Sequence, residues 1–121
     1  MSNFTLINLP TFSGHLGNLT VLEKVLPFEV NRVYWIYGAD GRCRGGHRHA
    51  VTRQALIAIA GSVEIYLCDG ASSKSIMLDR PEKCLIVEPE DWHKMTFGAN
   101  SILLVMASHC YDKDDYIDDQ Y

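Results

Sequence analysis

His47 and His49, separated by a single residue, are the first groups in this 121-residue chain whose type and spacing suggest chemistry. In an extended segment, residues two apart point to the same face, so the pair presents two imidazoles side by side. An imidazole titrates near neutral pH, and such a ring can take a proton from a substrate and return it. Arg32, Arg42, Arg44, Arg48 and Arg53 surround the pair in a stretch whose only acid is Asp40. A nearby guanidinium disfavours a second positive charge and so keeps an imidazole in its basic form. It also suits a phosphate or a developing oxyanion. The segment therefore points to proton transfer on a small anionic ligand. Arg44 and Arg32 are candidate partners for such charge.

Such groups need a rigid frame, and the rest of the chain supplies an all-β pattern. No long stretch carries clean helical periodicity, whereas short β-rich runs recur between turn signals. Runs are expected over Val30–Tyr37, Gly46–Val51, Gln54–Ala60, Val63–Cys68, Ser75–Leu78, Cys84–Glu88, Met95–Phe97 and Ser101–Ser108. Gly61-Ser62 reads as a tight hairpin between two of them. So many short strands close their edges best as a sandwich, barrel or jelly roll. Apolar alternation beyond Gln54 puts the His47 and His49 face on the inside. Thr5–Leu9 is a candidate strand, Leu22–Phe28 is too short and proline-stopped to assign, and the tail after His109 is expected to form a helical turn or cover a barrel end.

With 47% hydrophobic residues and 21% charged, the chain is expected to fold as one domain spanning residues 1–121. Residues 1–29 form an N-terminal arm and residues 110–121 an acidic tail. A formal charge of −4 argues against binding a nucleic-acid backbone. No window approaches the apolar length that spans a bilayer, and the N-terminus lacks a secretory pattern, so no membrane association and a cytoplasmic location are expected. Cys43, Cys68, Cys84 and Cys110 lack metal or redox spacing and are expected to be reduced and mostly buried.

Each candidate also has a structural reading. His15 and His109 read as hydrogen-bonded structural residues, and His93 is balanced between structure and function. Gln54 could satisfy backbone groups, and Tyr34 and Trp92 could wall a ligand by stacking or simply fill the core. Three histidines can hold a divalent ion without a carboxylate, so spacing alone leaves a metal site open.

Gly41, five residues, His47-Arg48-His49, four residues, Gln54, six residues and Gly61 resemble the first cupin motif, with Gln54 where metal-binding cupins place Glu. His93, in Pro89-Glu-Asp-Trp-His93, stands where a second motif supplies a later histidine. More specifically, the chain resembles the dTDP-4-dehydro-6-deoxy-D-glucose 3,4-ketoisomerases, metal-independent cupins. The resemblance is carried by Arg32–Ile36, Arg44–His49, Gln54–Ile57, Gly61-Ser62, Asp69-Gly70, Pro89–Met95, Ala107-Ser108, Tyr111-Asp112 and Asp115–Ile117. It implies a jelly-roll homodimer with exchanged N-terminal strands, no metal and no cofactor. It further implies a dTDP-linked 4-keto-6-deoxy sugar as substrate and a place in 3-amino-3,6-dideoxyhexose synthesis for surface glycans such as O-antigen. His47 and His49 would be catalytic, with Arg32, Tyr34, Arg44, Gln54, Trp92 and His93 binding substrate. Arg48 occupies a position where a small residue is familiar in that family, and Glu88 and Asp91 make the loop before His93 unusually acidic.

The competing readings are a metal-dependent cupin dioxygenase or isomerase using His47, His49 and His93, a dTDP-sugar 3,5-epimerase, and a non-catalytic sugar-binding cupin.

Overall fold

The computed structural model describes residues 4–121, so the first three residues of the expected arm lie outside the described residues. Twelve strands account for the architecture of the described chain: β1 (Leu6–Asn8), β2 (Thr11–Gly14), β3 (Gly17–Thr20), β4 (Arg32–Ile36), β5 (Cys43–His49), β6 (Gln54–Ala60), β7 (Val63–Cys68), β8 (Ser73–Leu78), β9 (Lys83–Val87), β10 (Trp92–Phe97), β11 (Ile102–Ala107) and β12 (Tyr116–Ile117). One sheet has the order β1-β9-β6-β11-β4 and the other β12-β5-β10-β7-β8, with every pairing antiparallel. This is the jelly-roll frame expected from the sequence.

Strand alternation decides what each sheet buries. In β7, Val63, Ile65 and Leu67 are fully buried, while Glu64 faces solvent. The same alternation in β10 turns His93, Met95 and Phe97 inward and Lys94 and Thr96 outward. Leu56, Leu85, Leu103 and Val105 from the facing sheet complete this core, each contributing about 2 kcal/mol through burial of apolar surface.

β6 is apolar on both faces because both are covered. Leu56 and Ala58 meet the central core, while Ala55 and Ile57 join an outer cluster under Leu22, Leu26 and Phe28. The Leu22–Phe28 stretch that the sequence left unassigned is therefore an irregular apolar cover over this sheet's outer face. β2 and β3 form a separate hairpin that the sequence pattern did not reveal. Its Phe12 and Leu19 are 63% and 62% exposed.

The expectation of mostly buried cysteines is corrected. All four are free, but only Cys84 is buried; Cys68 is half-buried, and Cys43 and Cys110 are exposed. Cys43 opens β5 at its exposed end and Cys110 follows the last strand of its sheet, so neither reaches the core.

Candidate active site

A cavity of about 490 Å³ lies between the sheets, bordered along one side by β4. β4 contributes Arg32 and Tyr34, β6 contributes Gln54, β5 contributes Arg44 and His47, and β10 contributes His93. Two further aromatic residues, Tyr111 and Tyr116, arrive from the C-terminal segment.

Arg44 and His47 are three residues apart, which in a regular strand would send them to opposite faces. They share the cavity because β5 carries a bulge. His47 pairs with His93 and Gly45 with Lys94, leaving Gly46 as an extra residue between them. Gly45 and Gly46 take φ values of +90° and +84°, a left-handed region that side chains disfavour. A Cβ on Gly45 would stand 2.9 Å from the His93 carbonyl oxygen.

The three imidazoles form one cluster. The His47 ring centroid lies 5.1 Å from both His49 and His93, and His49 lies 5.9 Å from His93. The His93 ring nitrogen Nδ1 is 3.1 Å from the Asp91 carbonyl oxygen. A carbonyl can only accept, so Nδ1 carries the proton and Nε2 keeps a lone pair. Burial, with smaller contributions from the other two histidines, takes the His93 pKa down to about 3 against the opposing pull of the Asp91 backbone hydrogen bond. Burial and the neighbouring His47 take His49 down to about 4. Burial also lowers His47, against the opposing pull of Asp118 and a backbone hydrogen bond at Gly45. At neutral pH all three rings are therefore uncharged and able to accept protons.

His49 is 3% exposed and does not line the cavity. It sits one layer back, with His47 at 5.1 Å and the Tyr116 ring at 4.8 Å. Its Nδ1 has no hydrogen-bond partner among the described residues. Tyr116 also lies 4.5 Å from His47, so its ring bridges the pair.

Across the cavity the Arg32 guanidinium stacks 4.4 Å over Tyr34 and 5.4 Å over Tyr111. Gln54 Nε2 donates to the Tyr34 hydroxyl at 3.2 Å. Burial raises the Tyr34 pKa and Tyr116 adds to this, with Arg32, Gln54 and Arg44 pulling the other way. Tyr34 thus stays a neutral phenol able to donate a hydrogen bond. Among the described residues, no group of three His, Cys, Asp or Glu side chains is set out to hold a metal ion.

Residues 2–121 match the family model described as FdtA, WxcM-like, C-terminal. The chain belongs to the WxcM-like family. It is similar to the TDP-4-oxo-6-deoxy-alpha-D-glucose-3,4-oxoisomerase of Aneurinibacillus thermoaerophilus, 37% identical over 115 residues that cover 92% of this chain and 83% of that one. Among solved structures, a 3,4-ketoisomerase from Helicobacter canadensis superposes with a TM-score of 0.92 at 37% identity, covering 98% of this chain and 92% of that chain. A mutant of the 3,4-ketoisomerase QdtA from Thermoanaerobacterium thermosaccharolyticum, in complex with TDP-4-keto-6-deoxyglucose, gives a TM-score of 0.92 at 36% identity and covers 98% and 89% of the two chains.

In this WxcM-like protein, Arg32, Tyr34, Arg44, His47, Gln54 and His93 meet at one cavity, with His49 directly behind it. Trp92 does not join them. It precedes inward-facing His93 on β10 and therefore points the other way, where its indole N–H donates to the Asp118 carbonyl at 3.0 Å. Of the remaining arginines, Arg53 pairs with Glu88 at 2.7 Å, and Arg48 stacks 4.2 Å over Tyr121 on the outer face. Asp91 accepts from the Glu88 backbone N–H, so the acidic loop before His93 serves to shape the turn. Tyr111 and Tyr116 line the same cavity and are missing from the candidate set. The Tyr111-Asp112 and Asp115-Tyr116-Ile117 matches to the family were the signal that could have found them.

Proposed function

We propose that this protein is a TDP-sugar 3,4-ketoisomerase that converts TDP-4-keto-6-deoxyglucose to the 3-keto isomer. The observation that carries this reading is His47, an uncharged base at neutral pH that lines a cavity also holding Arg32 and Arg44. The named relatives support the substrate class.

Moving the carbonyl from C4 to C3 is redox-neutral within the sugar. A base removes the C3 proton, the electrons flow towards the C4 oxygen, and an enediol forms. The same proton then returns at C4, while the O3 hydroxyl proton is transferred to O4. His47 is assigned the carbon-bound proton because it faces the cavity directly. His49, one layer back with an unpartnered Nδ1, is assigned the oxygen-bound proton, relayed by Tyr116, whose ring borders both His49 and the cavity. Arg44 stabilises enediolate charge, and Arg32 grips the diphosphate bidentately. Neutral Tyr34 donates to a sugar oxygen, held in place by Gln54.

The reading extends to the whole protein: one catalytic domain acting in the cytoplasm in amino-deoxyhexose synthesis for surface glycans. It is a homodimer whose N-terminal hairpins exchange. Support for the dimer comes from exposed Phe12 and Leu19 on that hairpin and from Val33 and Trp35, 51% and 58% exposed, on edge strand β4.

Incubation with TDP-4-keto-6-deoxyglucose in heavy water, followed by NMR, tests the reaction. The expected product is the 3-keto isomer, labelled at most at C4, since its C3 is a carbonyl carbon without hydrogen. Label at C5 would instead identify an epimerase. His47→Asn should lose about 10²–10⁴-fold in kcat while retaining TDP binding; an active variant would refute the assignment.

A further inference from the structure

Strand β12 brings more than Tyr116 to the imidazoles. It runs antiparallel to β5 with Tyr116 opposite His49 and Ile117 opposite Arg48. Continued by one residue, the same register sets Asp118 opposite His47. Residues directly opposite across an antiparallel pair share a face, so the Asp118 carboxylate belongs to the His47 side of the strand. Two anchors hold the segment there: Trp92 Nε1 donates to the Asp118 carbonyl at 3.0 Å, and Arg48 Nε donates to the Asp119 carbonyl at 3.0 Å. Arg48 and Trp92 thus work from the outer face of the sheet to fix a carboxylate beside the inner one.

We propose that Asp118 is a positioning residue for His47, a carboxylate held by the C-terminal strap so that the ring is a stronger base than its half-buried setting would otherwise allow. The electrostatics run the same way: burial lowers the His47 pKa, and Asp118 is the leading influence that raises it. Among the described residues, the other charged or titratable groups around His47 are His49 and Arg44 from its own strand, His93 from β10, Tyr116 from β12, and Arg32, Tyr34, Tyr37 and Tyr111 lining the same cavity. None of these supplies a negative charge at neutral pH. A base whose pKa lies nearer the working pH transfers a carbon-bound proton more effectively, so the carboxylate raises turnover without touching the substrate.

The inference rests on His47 as the carbon base, and its test separates the two. Asp118→Asn removes the charge, Asp118→Glu restores it, and Asp119→Asn removes an equal charge from the next residue as a control. In NMR titration of the histidine rings without substrate, the His47 pKa should fall by about half a unit in Asp118→Asn and stay unchanged in Asp119→Asn. With TDP-4-keto-6-deoxyglucose, kcat should fall about two- to threefold while KM stays unchanged, and Asp118→Glu should recover most of the loss. The acid limb of kcat/KM should shift to lower pH together with the His47 pKa. An unchanged His47 titration in Asp118→Asn, an equal effect in Asp119→Asn, or a rise in KM with kcat intact would overturn the proposal. Since the titration is read without sugar, a wild-type protein inactive on this substrate would sink the ketoisomerase reading alone.

Discussion

The Asp115 carboxylate accepts hydrogen bonds from the backbone N–H groups of Ala50 and Val51 at 3.0 and 2.8 Å, and from the Thr52 hydroxyl. A residue near the C-terminus therefore closes the turn that follows His49, and Tyr116 enters the cavity from the next position.

Replacing Asp115 by Ala should leave the Thr52 hydroxyl and two N–H groups without their acceptor. The expected loss is about 3 kcal/mol, since a buried donor stripped of its partner costs about 1–3 kcal/mol. Urea unfolding measures it directly, and a variant as stable as the wild type would show that the turn does not depend on this carboxylate. Burial pushes the Asp115 pKa up, but the bonds from Thr52, Val51 and Ala50 outweigh it and leave the carboxyl below its ordinary value of 3.8. Its contribution is therefore complete above that value and is lost as pH falls through the folded-state pKa.

Local pattern carried much of the fold. Gln54–Ala60 and Val63–Cys68 were legible to the residue because an apolar run and a clean alternation meet at Gly61-Ser62. The shared face of His47 and His49 followed from period two alone. What stayed hidden depended on partners distant in sequence or on surfaces that no core pattern marks. The β2–β3 hairpin turns Phe12 and Leu19 to solvent in the single chain, so its apolar residues carry no inward rhythm. Trp92 reads from its type as an aromatic wall for a ligand, but it adjoins inward-facing His93, and adjacent strand residues face opposite ways. Tyr116 reaches His49 only through a two-strand pairing that closes most of the domain.

The bulge in β5 gives a stability prediction that distinguishes two adjacent glycines. Gly45→Ala combines a left-handed φ with a methyl 2.9 Å from the His93 carbonyl and 3.1 Å from Lys94 Cα, both backbone atoms. Gly46→Ala has a similar φ, but its nearest neighbour is the Trp92 ring at 3.9 Å. Backbone strain alone costs about 1–3 kcal/mol, so Gly46→Ala should lower Tm by several degrees and Gly45→Ala by clearly more. Gly45→Ala should also disturb the His47–His93 pairing and reduce kcat. Equal melting temperatures for the two variants would show that the close approach of β5 to β10 carries no energetic weight.

The histidine cluster makes stability fall as pH falls, over a range set by burial. In the unfolded chain His47, His49 and His93 take up protons near their ordinary value of 6.5, whereas burial lowers all three in the folded state, to about 4 for His49 and about 3 for His93. Below 6.5 the unfolded state thus binds more protons than the folded state, and each unit of pH favours it further. The stabilisation is complete above 6.5 and erodes progressively down to the folded-state values. At most about 1.4 kcal/mol is lost per pH unit for each histidine charged only in the unfolded state. Urea unfolding between about pH 7.5 and pH 5 samples this range above the ordinary carboxylate values. The expected result is a steady decline in unfolding free energy with no change in m-value. His93→Asn should flatten the slope by removing the most deeply buried ring. A flat profile in the wild type would mean that the rings charge inside the folded protein, and the case for a neutral histidine cluster at and behind the cavity would fail with it.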